Sequence, residues 1–347
     1  MIKYLGSKRT LVPVLSKLAE ASGATTSLDL FTGTTRVAQA LKQVGQTVTA
    51  TDLASYSYAF AKTWIETDAS SVNQAELLDA IANLNSLQGE SGYFTKAFCE
   101  DARFFQPKNG QLVDAIRNRI EAEYKDTWLY YPLLTSLIMA ADKVDSTTGI
   151  QMAFLKQWSA RSNATMVLKD PGLLPGAGTA LKGDVIELAK SLPAVDLAYL
   201  DPPYNQHRYF ANYHVWETLV RWDAPESYGI ANKRLDVRDN STKSAFNSKR
   251  TMATSLANVI AELQCETLML SYNNESWLSR DELRAICEPK GEVTILDFDF
   301  KRYVGSLIGV YNKKGHRVGE PTHTRNIEHV VIAGPKAIVD RMVSAVK

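Results

Sequence analysis

Four short stretches of this sequence carry residues whose types and order suit chemistry. The sharpest is Asp201-Pro202-Pro203-Tyr204, which follows the apolar run VDLAYL. Two prolines neither continue a helix nor donate to a central sheet ladder, so they stiffen a turn and leave its carbonyls exposed. A strand in front of that turn sets Asp201 at a strand's carboxyl end, where open α/β sheets place their ligands. The Asp201 carboxylate and the Pro202 carbonyl are acceptors for the hydrogens of an aromatic amine, and Tyr204 is a flat face for stacking. An amine such as adenine's is a poor nucleophile because its lone pair is delocalised. Acceptors that encourage a pyramidal nitrogen ready it for in-line attack on a sulfonium methyl, and positioning of this kind is worth roughly 7–11 kcal/mol. A rigid turn with a capping Asp is the plainer alternative.

The second stretch is Asp29-Leu30-Phe31-Thr32-Gly33-Thr34-Thr35, directly after the strand candidate SLDLF. A turn there aims backbone N–H groups and a helix N-terminus at a ligand, with Gly33 permitting close approach. It has one glycine and is not the dinucleotide GxGxxG pattern. The third is Asp52, at the end of the next strand and about 20 residues on. A carboxylate there accepts both ribose hydroxyls of a nucleoside-bearing ligand, or simply caps a helix over 54–62. The fourth is Lys3-Tyr4-Leu5-Gly6-Ser7-Lys8-Arg9, a cationic loop suited to closing over a ligand carboxylate.

These stretches need a frame. Periodicity predicts a helix over 9–20, strands at Ser27–Phe31 and Val48–Thr51, and a helix over 35–44 with Val37, Ala40, Leu41 and Val44 on one face. Such a strand–loop–helix–strand unit implies a parallel α/β sheet. Residues 56–158 are mostly helical by period and rich in aromatics, with helices over 109–122 and 126–144. The Gly- and Pro-rich segment 170–180 marks a boundary. Strand patterns return at Val195–Leu200, Thr267–Ser271, Glu292–Phe298 and His329–Ala333, with helices over 209–222, 250–263, 279–287 and 335–345. The expected organisation is an α/β domain of residues 1–55 and 181–347, interrupted by a mostly helical insertion over 56–180.

Composition is that of an ordinary globular chain: 347 residues, 45% hydrophobic, 22% charged. A net charge of +1 argues against coating nucleic acid through overall charge, though not against a local basic face. Cys99, Cys265 and Cys287 form neither a CxxC pair nor a zinc spacing, so no metal is expected and a reducing cytoplasm fits. The first twenty residues contain no apolar run of signal-peptide length, and no segment reads as membrane-spanning.

Taken together, the motifs resemble the Dam-like family of DNA adenine-N6 methyltransferases of restriction-modification systems, in which the cofactor motif precedes the catalytic one. KYLGSK looks like the family's N-terminal motif, DLFTGTTRVA like its FxGxG cofactor loop, and Asp52 like the acidic residue after the second strand. GDV at Gly183–Val185 stands where the family places an acidic residue near the cofactor adenine, and DPPY is the catalytic motif. One departure is that Thr34 replaces the second glycine of FxGxG. The longer match DPPYNQHRYFANYHVWETL, together with LSYNNE at Leu270–Glu275, extends the resemblance over most of the α/β core. NGQLVDAIRNRI and ADKVDSTTG in the helical part look similar as well.

The resemblance implies a Rossmann-like methyltransferase sheet and S-adenosyl-L-methionine as cofactor, held by Tyr4, Gly6, Lys8, Asp29, Phe31, Gly33, Thr34, Asp52, Asp184 and Val185. Asp201, Pro202 and Tyr204 would be catalytic. Asn205, Tyr209, Asn212, Tyr213 and His214 would line the target-strand side, with Lys233 and Arg234 on DNA; neither His207 nor His214 is given a proton-transfer role. Double-stranded DNA is the expected partner, with a cognate restriction endonuclease a further one, in a bacterial or phage-infected cytoplasm.

Residues 233–250 hold six Lys or Arg against two Asp. Lys301, Arg302, Lys313, Lys314 and Arg317, interleaved with Tyr303, Tyr311 and His316, form a second basic stretch. Basic side chains beside aromatics suit phosphate contact and stacking, although solvated loops look the same. The insertion is the natural place for sequence reading, with Lys156, Arg161 and Asn163 as groove contacts. Competing readings are methylation of RNA adenine or another planar amine, and a DNA-binding regulator that has lost catalysis. The missing GxGxxG argues against a dehydrogenase.

Overall fold

The computed structural model describes residues 1–204, 208–301, 310–311, 317–319 and 325–347. Eleven strands occur among them: β1 (Thr26–Asp29), β2 (Thr47–Asp52), β3 (Gly178–Lys182), β4 (Val195–Leu200), β5 (Ser227–Tyr228), β6 (Lys233–Arg234), β7 (Cys265–Asn273), β8 (Glu292–Lys301), β9 (Val310–Tyr311), β10 (Arg317–Gly319) and β11 (Arg325–Gly334). Seven of them form one sheet in the order β3-β2-β1-β4-β7-β11-β8. Pairing is parallel from β3 through β7, whereas β11 runs antiparallel to both β7 and β8.

Residue alternation explains the layering. Leu197 and Tyr199 of β4 share a buried cluster with Met269, Val330 and Ile332, while Ala198 and Leu200 share another with Leu268, Leu270 and Val331. Side chains of period two thus feed two cores, one on each face of the sheet. The aromatics of the helical region, among them Phe60, Trp64, Phe94, Phe98, Phe104 and Phe105, belong to the first cluster. They pack onto one face of the sheet as a layer. β3, which the Gly/Pro pattern concealed, starts within the segment read as a boundary, runs past its end and extends the sheet beside β2.

Register places the site. Asp29 of β1 stands opposite Ala50 of β2 on one side and Tyr199 of β4 on the other. Asp52 and Asp201 each follow those partners by two residues, so these two carboxylates arrive at one level, with Asp29 about 7 Å below them between their strands. The chain leaves β1 toward β2 and β3, then returns to the other side of β1 as β4. This reversal opens a crevice at the carboxyl ends of β1 and β4.

The helix expected over 209–222 is broken. Tyr209–Asn212 and His214–Arg221 are separate helices with Tyr213 between them at φ −127. The Tyr213 ring lies 4.7 Å from that of Tyr4, and its hydroxyl accepts the Leu5 N–H at 2.7 Å. The helix expected over 9–20 begins later, at Val12, and runs to Ser22, where Gly23 closes it with φ 77.

Candidate active site

At the crevice lies a cleft of about 870 Å³, open mouth included. Its lining joins Tyr4, Gly6, Phe31, Gly33, Asp52, Asp184, Val185, Asp201 and Tyr209. A smaller recess shares Tyr4, Gly6, Phe31, Gly33 and Asp201 and adds Lys8, Asp29 and Thr34. All ten residues expected around the cofactor therefore meet in one connected space with Asp201.

The turn after β1 is held by the carboxylates it presents. Asp29, buried, accepts the Thr32 hydroxyl and the Ala38 N–H, both at 3.0 Å. Asp52 accepts the Gly33 N–H at 2.8 Å and the Ala54 N–H at 2.9 Å. Gly33 has φ 51, and a Cβ there would meet the Tyr4 ring at 3.2 Å. The next left-handed residue is Thr35, at φ 60, not Thr34. Counting two residues on from Gly33, the second glycine of the loop pattern is replaced at Thr35, so the expectation at Thr34 is corrected. A β-branched residue in that region is strained by about 1–3 kcal/mol. Its hydroxyl, bound to the Thr34 carbonyl and the Gln39 amide, helps to hold it there.

Charge is unevenly compensated. Burial raises Asp29 to about 7 and Asp52 to about 6, backbone and hydroxyl donors offsetting only part of the desolvation. Asp201 is raised to about 6, again by burial first, against the nearby Lys8 ammonium. That ammonium lies 3.0 Å from Asp201 Oδ1 and 5.4 Å from the Tyr204 ring centroid. Three carboxylates on one cleft favour a cationic ligand. Asp29 Oδ1, Ser7 Oγ and Arg36 Nε are buried there without hydrogen-bond partners among the described residues. Polar atoms of both signs in the recess fit a zwitterionic amino-acid group, and the Asp52–Asp184 side fits a nucleoside.

A family model for the D12 class N6 adenine-specific DNA methyltransferases matches residues 4–286. The chain belongs to this family. S-Adenosylmethionine is the family's methyl donor. Among relatives, the modification methylase StsI of Streptococcus sanguinis is 31% identical over 323 residues, covering 87% of this chain and 49% of that protein. The type II methyltransferase M.NlaIII of Neisseria lactamica is 29% identical, covering 93% of this chain and 98% of that protein. M.FokI of Planomicrobium okeanokoites is 28% identical over 84% of this chain and 47% of its own length. The chain thus spans about half the length of the first and third of these relatives and nearly all of the second.

In this D12-class chain the target side differs from what the motif suggested. Tyr209 lines the cleft and stacks on Tyr4 at 5.4 Å. Asn212, Tyr213 and His214 are buried and face inward. His214 Nε2 meets the Gln151 carbonyl at 2.9 Å between the rings of Phe98 and Phe104, and burial lowers its pKa to about 3. It is a neutral packing residue. Arg234 is 1% exposed and gripped by Asp223 at 2.7 Å and Asp236 at 2.8 Å, so it braces the chain and presents no charge to a phosphate. Lys233 is half-buried. Arg161, expected in a groove, binds the Asp145 carboxylate and the carbonyls of Asp145 and Thr147. Lys156 and Asn163 are exposed. Pro202 is buried, Pro203 lines the cleft, and Tyr204 packs edge-on against Tyr272 at 5.4 Å. Asn205 and His207 lie outside the described residues, as do Arg302, Tyr303, Lys313, Lys314 and His316 and the side chains of Lys301, Tyr311 and Arg317.

Sequence reasoning missed Arg208, Phe210, Thr242, Ser244 and Asn247, which also line the cleft. The last three come from the basic segment, which folds back so that Phe246 meets Phe31 edge-on at 5.0 Å. A lone aromatic among small polar residues was the only signal. No helix among the described residues is long and apolar enough to cross a membrane.

Proposed function

We propose that the chain transfers a methyl group from S-adenosylmethionine to the exocyclic N6 amine of adenine in duplex DNA. The observation that carries this reading is the placement of Asp201, at the end of β4, in the same cleft as Gly33, Asp52 and Asp184. When bound, the donor supplies an electrophilic sulfonium methyl. The chain's residues do the rest. Asp52 and Asp184 hold the nucleoside end, and Gly6, Lys8, Asp29 and Gly33 surround the amino-acid end. Asp201 and the Pro202 carbonyl accept the amine hydrogens, and Tyr204 stacks on the base. The adenine leaves the duplex to reach this depth. A nitrogen–carbon bond forms as the carbon–sulfur bond breaks. The proton lost from the amine passes to Asp201 or solvent, and S-adenosylhomocysteine leaves.

Target recognition falls to the helical region 56–180, where exposed Lys156 and Asn163 remain as contacts. Lys249 and Arg250, also exposed, suit phosphate contact. The names modification methylase and type II methyltransferase among the relatives support pairing with a cognate endonuclease in a bacterial or phage setting.

The test is transfer of tritiated methyl from S-adenosylmethionine to duplex DNA and to RNA of matched sequence. Label in N6-methyladenine of the duplex is expected. Label confined to RNA would move the activity to that substrate. DNA binding without any transfer would favour the regulator reading.

A further inference from the structure

Glu328 lies beyond the span matched by the family model and in none of the chemical motifs, yet it contacts Lys8, which lines the recess beside Asp201. It does so because β11 is reversed. A parallel strand would deliver its last residues to the carboxyl edge of the sheet, whereas an antiparallel one delivers its first. Glu328, fourth residue of β11, stands opposite Asn273 near the end of β7. It is 5% exposed.

Its carboxylate accepts a hydrogen bond from the Lys8 ammonium, and its other oxygen is 3.5 Å from Asn273 Nδ2. Asp201 Oδ1 is 3.0 Å from the same ammonium, which sits nearer to Glu328. One lysine is therefore shared between two carboxylates and lies nearer to Glu328, the more buried of the two. Without a competitor, a buried lysine beside Asp201 would donate to it and fill the lone pairs that an amine needs.

We propose that Glu328 is a positioning residue: it draws Lys8 toward itself and so keeps the Asp201 carboxylate open to accept the hydrogens of the target amine. The proposal rests on the methyl-transfer reading for its purpose, but not for its test. The groups facing Asp201 are Lys8 from the N-terminal loop, Glu328 from β11, Tyr199 from β4, Tyr204 from the turn beyond it, Asp29 from β1 and Tyr209 from the helix after that turn. Lys8 draws the Asp201 pKa down, while Glu328 pushes it up. Glu328→Gln removes that push and frees Lys8 to turn inward.

Two readouts test this in the full-length chain. Carbon-13 NMR of aspartate-labelled protein follows the Asp201 titration directly, with Asp201→Asn assigning the resonance. The pH profile of kcat on duplex DNA follows its consequence. Glu328→Gln is expected to lower both midpoints by about one pH unit, to reduce plateau kcat at least tenfold and to leave the KM for the methyl donor within twofold. Glu328→Asp should restore most of the plateau. An unmoved Asp201 titration in Glu328→Gln overturns the proposal, whatever happens to activity. If Glu328→Gln does not fold, Glu328→Ala is read in its place, and an unmoved Asp201 titration there overturns the proposal equally. A shifted titration in a protein that methylates nothing would leave the positioning in place and remove the methyl-transfer reading instead.

Discussion

The two walls of the cleft are built differently. One is the row of strand ends, where Asp29, Asp52 and Asp201 are fixed by sheet register and Asp29 and Asp52 by backbone N–H groups as well. The other is made of short helices and loops, Tyr209–Asn212 and the segment through Asn247, anchored by side chains such as Tyr213 on Tyr4 and Phe246 on Phe31. On the first wall a residue's chain position almost determines its place in the cleft. On the second, tertiary packing decides which side chain turns inward, so Tyr209 reaches the cleft while its neighbours Asn212 and Tyr213 are buried. Charge held by backbone is a property of the fold, and charge held by side chains is a property of each sequence.

The largest effect that should separate the walls is on catalysis. Asp201→Ala is expected to lower methyl transfer at least about a thousandfold with donor affinity, read by calorimetry, nearly unchanged. Near-normal turnover would remove Asp201 from its role. Next, Arg234→Met should cost about 1–2 kcal/mol of stability in urea titration, because it removes the buried cation that braces Asp223 and Asp236 and leaves them only Arg221. DNA affinity and its salt dependence should stay as they were; a reduced salt slope would return Arg234 to the DNA surface. Asp52→Ala should weaken donor binding roughly ten- to a hundredfold, with kcat at saturating donor changed much less.

How far these residues could be read from sequence follows the same division. Gly33, Asp52 and Asp201 were legible because a turn after a strand leaves few choices for where a carboxylate points. Glu328 was not, since an antiparallel last strand is not announced by any motif. β3 was masked because its glycine and threonine sit in a Gly/Pro-rich stretch, and its strand character comes from pairing with β2. Arg234 was misread because a basic run looks the same whether solvated or neutralised by Asp223, eleven residues away. His214 was placed on the target side by its motif, although its neighbours in space, Phe98 and Phe104, lie over a hundred residues earlier.

A pH experiment sharpens the contrast further. Burial raises Asp201 to a pKa of about 6, so under its proposed role as a charged acceptor kcat should fall about tenfold per unit below pH 6. Stability of the donor-free protein should move the other way. Asp29, Asp52, Asp142 and Asp201 have folded pKa values of about 6–7, above their ordinary 3.8. Their contribution is fully present below that ordinary value and is lost as pH rises through 6–7. Mild acidification from pH 7 to 5 should therefore raise Tm, well before Asp196 and Glu121, both at about 2, begin to protonate. A Tm that falls over that interval would show that the strand-end carboxylates are not desolvated. The smallest effect is at Thr35→Gly. Relief of the left-handed strain, less the lost hydroxyl contacts and added chain entropy, should leave a gain of about 1 kcal/mol or less, seen as a slightly higher Tm.

The strand order has a consequence for how the molecule is made. β7 and β8 emerge from the ribosome before β11, yet β11 must slide between them to complete the sheet. Until it arrives, the nascent chain displays one unpaired edge of a nine-residue apolar strand, Cys265–Asn273, the kind of template on which chains stick to one another. Efficient production of this protein should thus depend on low growth temperature or chaperone supply until β11 has been made.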